Sequence, residues 1–209
     1  MPFFVFPFSN PQARILLAAA KIGADANATR SRTFRDTALR WCDKLVTEQA
    51  PAKTAAGAPA GYWGVGYGPG PGSLGNVYFG DTGTAVTTLA MCYREVGGAN
   101  TARGSKFMKA MRLYRSFVVG GCAGGLKGRG GPSPGWVLPS GAVGCGYYKG
   151  HLSTKPYVIA TGTTGGAFLA ELANLTGTNI STRILGRRTE PISPFLIPNC
   201  VPRGFTPRS

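Results

Sequence analysis

Eight carboxylates are spread over 209 residues, and cleaving a glycosidic bond needs two of them facing each other. Asp36, Asp43 and Glu48 share one helical stretch and read as solvated. Glu95 and Glu171 come late in theirs, and Asp25 and Glu190 fall in terminal segments. Asp81 alone stands where a loop enters a helix. There it is a candidate catalytic or sugar-binding carboxylate, as well as an ordinary helix cap. His151 is the single histidine, so it is the one candidate imidazole for ligand binding, and His-rich metal sites are excluded. No pair of Cys, His or carboxylate residues has zinc-site spacing, and no metal or other cofactor is expected. Gly131-Pro132-Ser133-Pro134-Gly135 spells GxSxG. Prolines flank its serine where a nucleophile elbow needs a strand and a helix, so it reads as a loop. Gly70-Pro71-Gly72-Ser73-Leu74-Gly75 spells GxGxxG, but no strand precedes it.

The aromatics are better organised. A Gly- and aromatic-rich loop feeding a Thr-Gly-Thr helix start occurs twice. The first copy runs from Trp63 through Tyr67, Tyr78 and Phe79 to Thr82-Gly83-Thr84. The second runs from Trp136 through Tyr147, Tyr148 and Tyr157 to Thr161-Gly162-Thr163, an offset of 79 residues at the helix starts. Loops repeated in this way tend to gather at one end of a helical array. Trp63, Tyr67, Tyr78, Trp136, Tyr147 and Tyr148 are therefore candidates for lining a ligand end. The competing role for each is packing the loop onto the helices. Only the first copy has a carboxylate at the helix start, because Ala160 aligns with Asp81.

The charge is lopsided: 23 Lys and Arg against 8 Asp and Glu, for a net +15. Such an excess attracts polyanions. It is diffuse, however, with all three thirds of the chain positive. The densest regular feature is Lys106, Lys109, Arg112 and Arg115, one every three residues beside an apolar helical face. A stripe of this kind can meet phosphates or anionic lipid.

Helical periodicity supplies the elements that carry these residues. A weakly helical stretch spans Gln12 to Ile22. Clearer helices are expected over 33–50 with Thr33 as cap and Pro51 as stop, over 81–96, over 105–119, and over 160–176. Residues 51–80 and 120–156 read as long loops. Cys42 and Cys92 fit helical faces as small buried hydrophobes, while Cys122 and Cys145 bracket a Gly-rich loop and could bridge it. No stretch reaches the length of a membrane span. Ile15–Ala20 is too short for a good signal core. Sequons at Asn27, Asn174 and Asn179 are permissive of a secreted route. The expected organisation is an N-terminal segment 1–32, a helical-hairpin domain 33–177, and a basic Pro/Arg-rich tail 178–209 with the composition of a disordered segment.

Gly80-Asp81-Thr82-Gly83-Thr84 and Ala160-Thr161-Gly162-Thr163-Thr164-Gly165-Gly166, each opening an inner helix after an aromatic loop, resemble the six-hairpin, (α/α)-toroid glycosidase-like superfamily. The resemblance is architectural and covers roughly residues 33–177. It implies an all-α fold of helical hairpins forming part of a toroid. It also implies a carbohydrate-active protein, in truncated or non-catalytic form, that holds glycan through its loop aromatics and His151. Any hydrolase activity would rest on Asp81. The alternative is a non-enzymatic basic protein that binds nucleic acid or another polyanion.

Overall fold

The computed structural model describes residues 9–64, 77–124, 132–133, 135–137, 144–148, 151–156 and 171–175. Four helices dominate them. α1 (Ser9–Ile22) buries Ala13, Leu17 and Ala20, which recur at helical spacing. α2 (Ala28–Glu48) packs against α1 and buries Ala38, Leu39, Cys42 and Leu45. Its cap is Asn27, whose Oδ1 accepts the Arg30 N–H at 2.9 Å. The expected cap, Thr33, lies a turn inside the helix and donates its hydroxyl to Thr29 O instead. Gln49 ends α2 in extended geometry just before Pro51, which has no N–H to continue the ladder.

α3 (Phe79–Glu95) and α4 (Ala102–Gly120) pack on each other, joined through a 3-10 turn at Gly98–Asn100. Thr101 caps α4, its Oγ1 accepting the Gly104 N–H at 3.0 Å. Only glycine fits at 104, because a Cβ there would lie 1.9 Å from Gly98 O. Gly135 passes the end of α4 in the same close fashion. Its φ is 125°, and a Cβ would fall 2.4 Å from Val119 O. Residues 171–175 are helical and lie inside the expected fourth helix. The rest of that helix, including Thr161-Gly162-Thr163, falls outside the described residues, as does the tail.

The all-α expectation is correct only for the bulk of the described residues, since both expected long loops contain strands. β1 (Ala50–Lys53) and β2 (Pro59–Tyr62) form an antiparallel hairpin with Ala50 opposite Tyr62 and Lys53 opposite Pro59. Thr54 closes its turn by accepting the Ala58 N–H on Oγ1 at 3.0 Å. β3 (Val77–Tyr78), β4 (Gly144–Tyr148) and β5 (His151–Pro156) make a three-stranded antiparallel sheet in the order β3-β4-β5. These strands are short and built mainly from Gly, Ala, Pro and Lys. They lack the alternating β-branched and aromatic pattern by which a strand is read from sequence.

One core joins α1 through α4, the hairpin and Leu172. Its centre is an aromatic column on α4. Tyr62 stacks on Phe117 at 5.2 Å, Trp63 meets Tyr114 at 5.1 Å, and Trp136 meets Phe117 at 4.7 Å and Phe79 at 5.1 Å. Cys42 and Cys92 are buried as expected. They are not thiols, however, because a disulfide joins them and ties α2 to α3. The bridge expected at Cys122 is not made. Cys122 is a free, buried thiol whose N–H and C=O both bond to Ser133 at 2.9 Å, and burial pushes the thiol pKa up.

Candidate functional site

Both tryptophans expected to stack on a ligand are fully buried, at 0% exposure. Trp63 donates its indole N–H to Leu45 O at 2.8 Å, and Trp136 donates to Gly146 O at 3.3 Å. Each indole has found its polar partner inside the core and packs its ring on the α4 column, so neither offers a face to a sugar. Thr82 of the first Thr-Gly-Thr start is likewise internal, hydrogen-bonded to the Tyr114 hydroxyl.

The other aromatic-loop candidates are positioned through backbone. Tyr78 ends β3, directly before α3, and Asp81 lies in the first turn of α3. In the sheet Val77 stands opposite Tyr147, Tyr78 opposite Gly146, and Tyr148 opposite His151. Among these candidates the structure describes the strand register alone. The two aromatic loops thus converge, since strands from both pair with each other. Tyr67 lies outside the described residues.

Most of the described carboxylates are engaged in ion pairs. Arg35 Nε holds Glu95 at 2.6 Å and Arg103 Nε holds Asp43 at 3.0 Å. Lys44 lies 3.6 Å from Glu48, Arg94 pairs with Glu171, and Asp36 stands 4.0 Å from Arg35. Asp43 and Glu48, expected to be solvated, are therefore tied to neighbours. Glu48 is half-buried, and burial raises its pKa despite Lys44. No group of three potential metal ligands occurs among the described residues.

The basic stripe on α4 divides in two. Lys106, Lys109 and Arg112 are exposed, and none has an ion-pair partner among the described residues. Arg115 is half-buried, its Nε is without a hydrogen-bond partner, and burial lowers its pKa. The cause is helix geometry. Each step of three residues turns the helix back by about 60°, so the row curls around the axis instead of running along it. With Phe107, Met111, Tyr114 and Val118 facing the core, Lys109 falls at the middle of the outer face. Lys106 and Arg112 flank it, and Arg115 reaches the core edge.

Two open grooves border this outer face. The larger, about 510 Å³, is lined by Tyr93, Ser105, Met108, Lys109, Arg112, Leu113, Ser116 and Leu175, among others. The smaller, about 330 Å³, lies toward the hairpin and includes Val46, Pro51, Lys106, Lys109 and Leu113. Lys109 and Leu113 line both. Tyr93, Ser105 and Ser116 are site residues that sequence reasoning passed over. The outward helical positions of Ser105 and Ser116 were readable, but the meeting of Tyr93 on α3 with α4 was not.

Comparison of the chain with protein-family models, with characterised proteins and with solved structures returned no match. No described helix is long and apolar enough to cross a membrane.

Proposed function

We propose that the protein binds a polyanion through the outer face of α4. The observation that carries this reading is the set of three exposed cations, Lys106, Lys109 and Arg112, on one face between two grooves and without an ion-pair partner among the described residues. Elsewhere Arg35, Lys44, Arg94 and Arg103 each hold a carboxylate, and the exposed Arg30, Arg32 and Arg40 on α2 border neither groove. Cations without a carboxylate need break no ion pair to meet a ligand phosphate or sulfate, and each contact with a nucleic-acid phosphate releases a counterion. Binding of this kind needs no catalytic pair, in keeping with carboxylates that are spent on internal ion pairs.

The test compares two triple variants of equal net charge. Lys106, Lys109 and Arg112 are replaced by Gln in one, and the exposed Arg30, Arg32 and Arg40 in the other. The α4 variant loses retention on an immobilised polyanion and the control does not. Equal losses would mean that the diffuse +15 charge, and no particular face, does the binding.

A second reading keeps the carbohydrate role, and the convergence of the aromatic loops favours it. β3, from the first aromatic loop, pairs with β4, from the second, Tyr148 stands opposite His151 in the register, and β3 leads straight into the turn that carries Asp81. Successive helices that pack in pairs, α1 with α2 and α3 with α4, are in keeping with part of an (α/α) toroid. The buried tryptophans weigh against this reading, because they remove its two largest stacking surfaces. Glycan-array binding abolished by Asp81→Asn and Tyr148→Ala would restore it.

A further inference from the structure

The larger groove beside α4 combines two kinds of lining. Tyr93, Met108, Leu113 and Leu175 supply apolar surface, with an aromatic ring among them, and Lys109 and Arg112 supply charge. A polymer that is only charged, such as polyphosphate, would satisfy the cations and leave the apolar lining wet, and a heavily sulfated glycan carries most of its surface as charge. A nucleic acid duplex presents phosphates and keeps its base faces stacked inside. A single strand offers both groups at every repeat: a phosphate, and a base whose π-face is free. The chain's own C-terminal residues 178–209, with five Arg and one Glu, have the wrong sign to fill the groove.

We infer, building on the polyanion reading above, that the ligand of this face is single-stranded nucleic acid. Its phosphates lie on Lys106, Lys109 and Arg112, and a base lies against Tyr93. Lys109 and Leu113 line both grooves, so the strand crosses α4 at Lys109 with apolar surface on either side. Successive cations of the row rise by about 4.5 Å along the helix, which places several phosphate contacts within one short stretch of strand.

The experiment measures affinity of the oxidised full chain for four probes at one salt concentration: a thymidine oligonucleotide, a duplex of the same phosphate number, heparin, and an acidic peptide. Wild type is compared with Tyr93→Leu, which keeps apolar volume but has no ring, and with Tyr93→Phe, which keeps the ring. Circular dichroism checks that each variant is folded. The expected result is tightest binding to the single strand, weakened about five-fold or more by Tyr93→Leu and unchanged by Tyr93→Phe. Heparin and duplex binding stay the same in all three proteins. Equal affinity for strand, duplex and heparin, with no effect of Tyr93→Leu, would overturn this inference and leave the charge-based reading standing. Tighter binding of the acidic peptide would overturn the nucleic-acid assignment. No salt-sensitive binding of any probe would overturn both.

Discussion

Reducing the Cys42–Cys92 disulfide should cost this protein a large share of its stability without removing a single packed atom. The bond closes a loop with a sequence separation of 50 between α2 and α3. In the chain-entropy treatment, opening a loop of that size returns about 14 cal/mol/K to the unfolded chain, or about 4 kcal/mol at 25 °C. Both sulfurs are fully buried, and the surrounding helices pack on each other independently of the bond, so the fold itself should persist. For a chain of this size about 4 kcal/mol corresponds to a fall in Tm of about 8–16 °C. The assay is thermal unfolding by circular dichroism of the oxidised and reduced protein, with a Cys42→Ala/Cys92→Ala variant as a third sample. Peptide mapping under non-reducing conditions must first show one linked pair containing Cys42 and Cys92. If both cysteines alkylate in the unfolded, unreduced protein, the bond does not form and the reasoning fails. A linked pair whose reduction shifts Tm by less than about 2 °C would refute the entropic magnitude.

Gly104→Ala should destabilise the α3–α4 junction by more than about 1 kcal/mol, because the added Cβ would sit against the Gly98 carbonyl, and urea unfolding measures it. Trp63→Ala should cost about 3–5 kcal/mol through the cavity left on Tyr114 and the loss of the bond to Leu45 O. Calorimetry reads that loss, and a ligand-binding change without one would contradict the core placement. Glu48→Gln should raise Tm at neutral pH. The folded-state pKa of Glu48 is raised, so its ionised form is penalised in the fold above that pKa, and the penalty disappears below the ordinary carboxylate range near pH 4. The difference between the two proteins should therefore close as pH falls through that range. A difference independent of pH would assign the effect to something other than ionisation.

The helices were largely legible in sequence where buried positions recur at a period of 3.6, as with Ala38, Cys42 and Leu45 on α2 and Phe107, Met111, Tyr114 and Val118 on α4, whereas α3 is buried on nearly every side. Their starts were less so. A run with two good capping residues, Asn27 and Thr33, does not reveal which one the chain uses until the packing of α1 on α2 decides. The strands left almost no pattern. Ala50–Lys53 and Pro59–Tyr62 are held by Thr54 and by contact with α4, both tertiary facts. The tryptophans stand out in sequence as a repeated pair with two open roles, ligand stacking and loop packing, and the structure gives both of them the packing role. Loop aromatics that end on a helix column look the same in sequence as loop aromatics that face solvent. The disulfide was missed for a similar reason, since two cysteines on different helical faces reveal nothing of their partner. The basic row was visible, yet its three-residue spacing hid the turn that sends Arg115 toward the core.

In the polyanion reading, Lys106, Lys109 and Arg112 on α4 make the contacts with the ligand. The most direct test is the slope of log affinity against log salt for an oligonucleotide, measured for the wild type and for the Lys106/Lys109/Arg112→Gln variant. Each phosphate contact to a single strand contributes about −0.7 to that slope, so losing three should flatten it by about 2. That flattening, absent from the Arg30/Arg32/Arg40→Gln control, is the predicted result. An unchanged slope in the α4 variant would contradict the account.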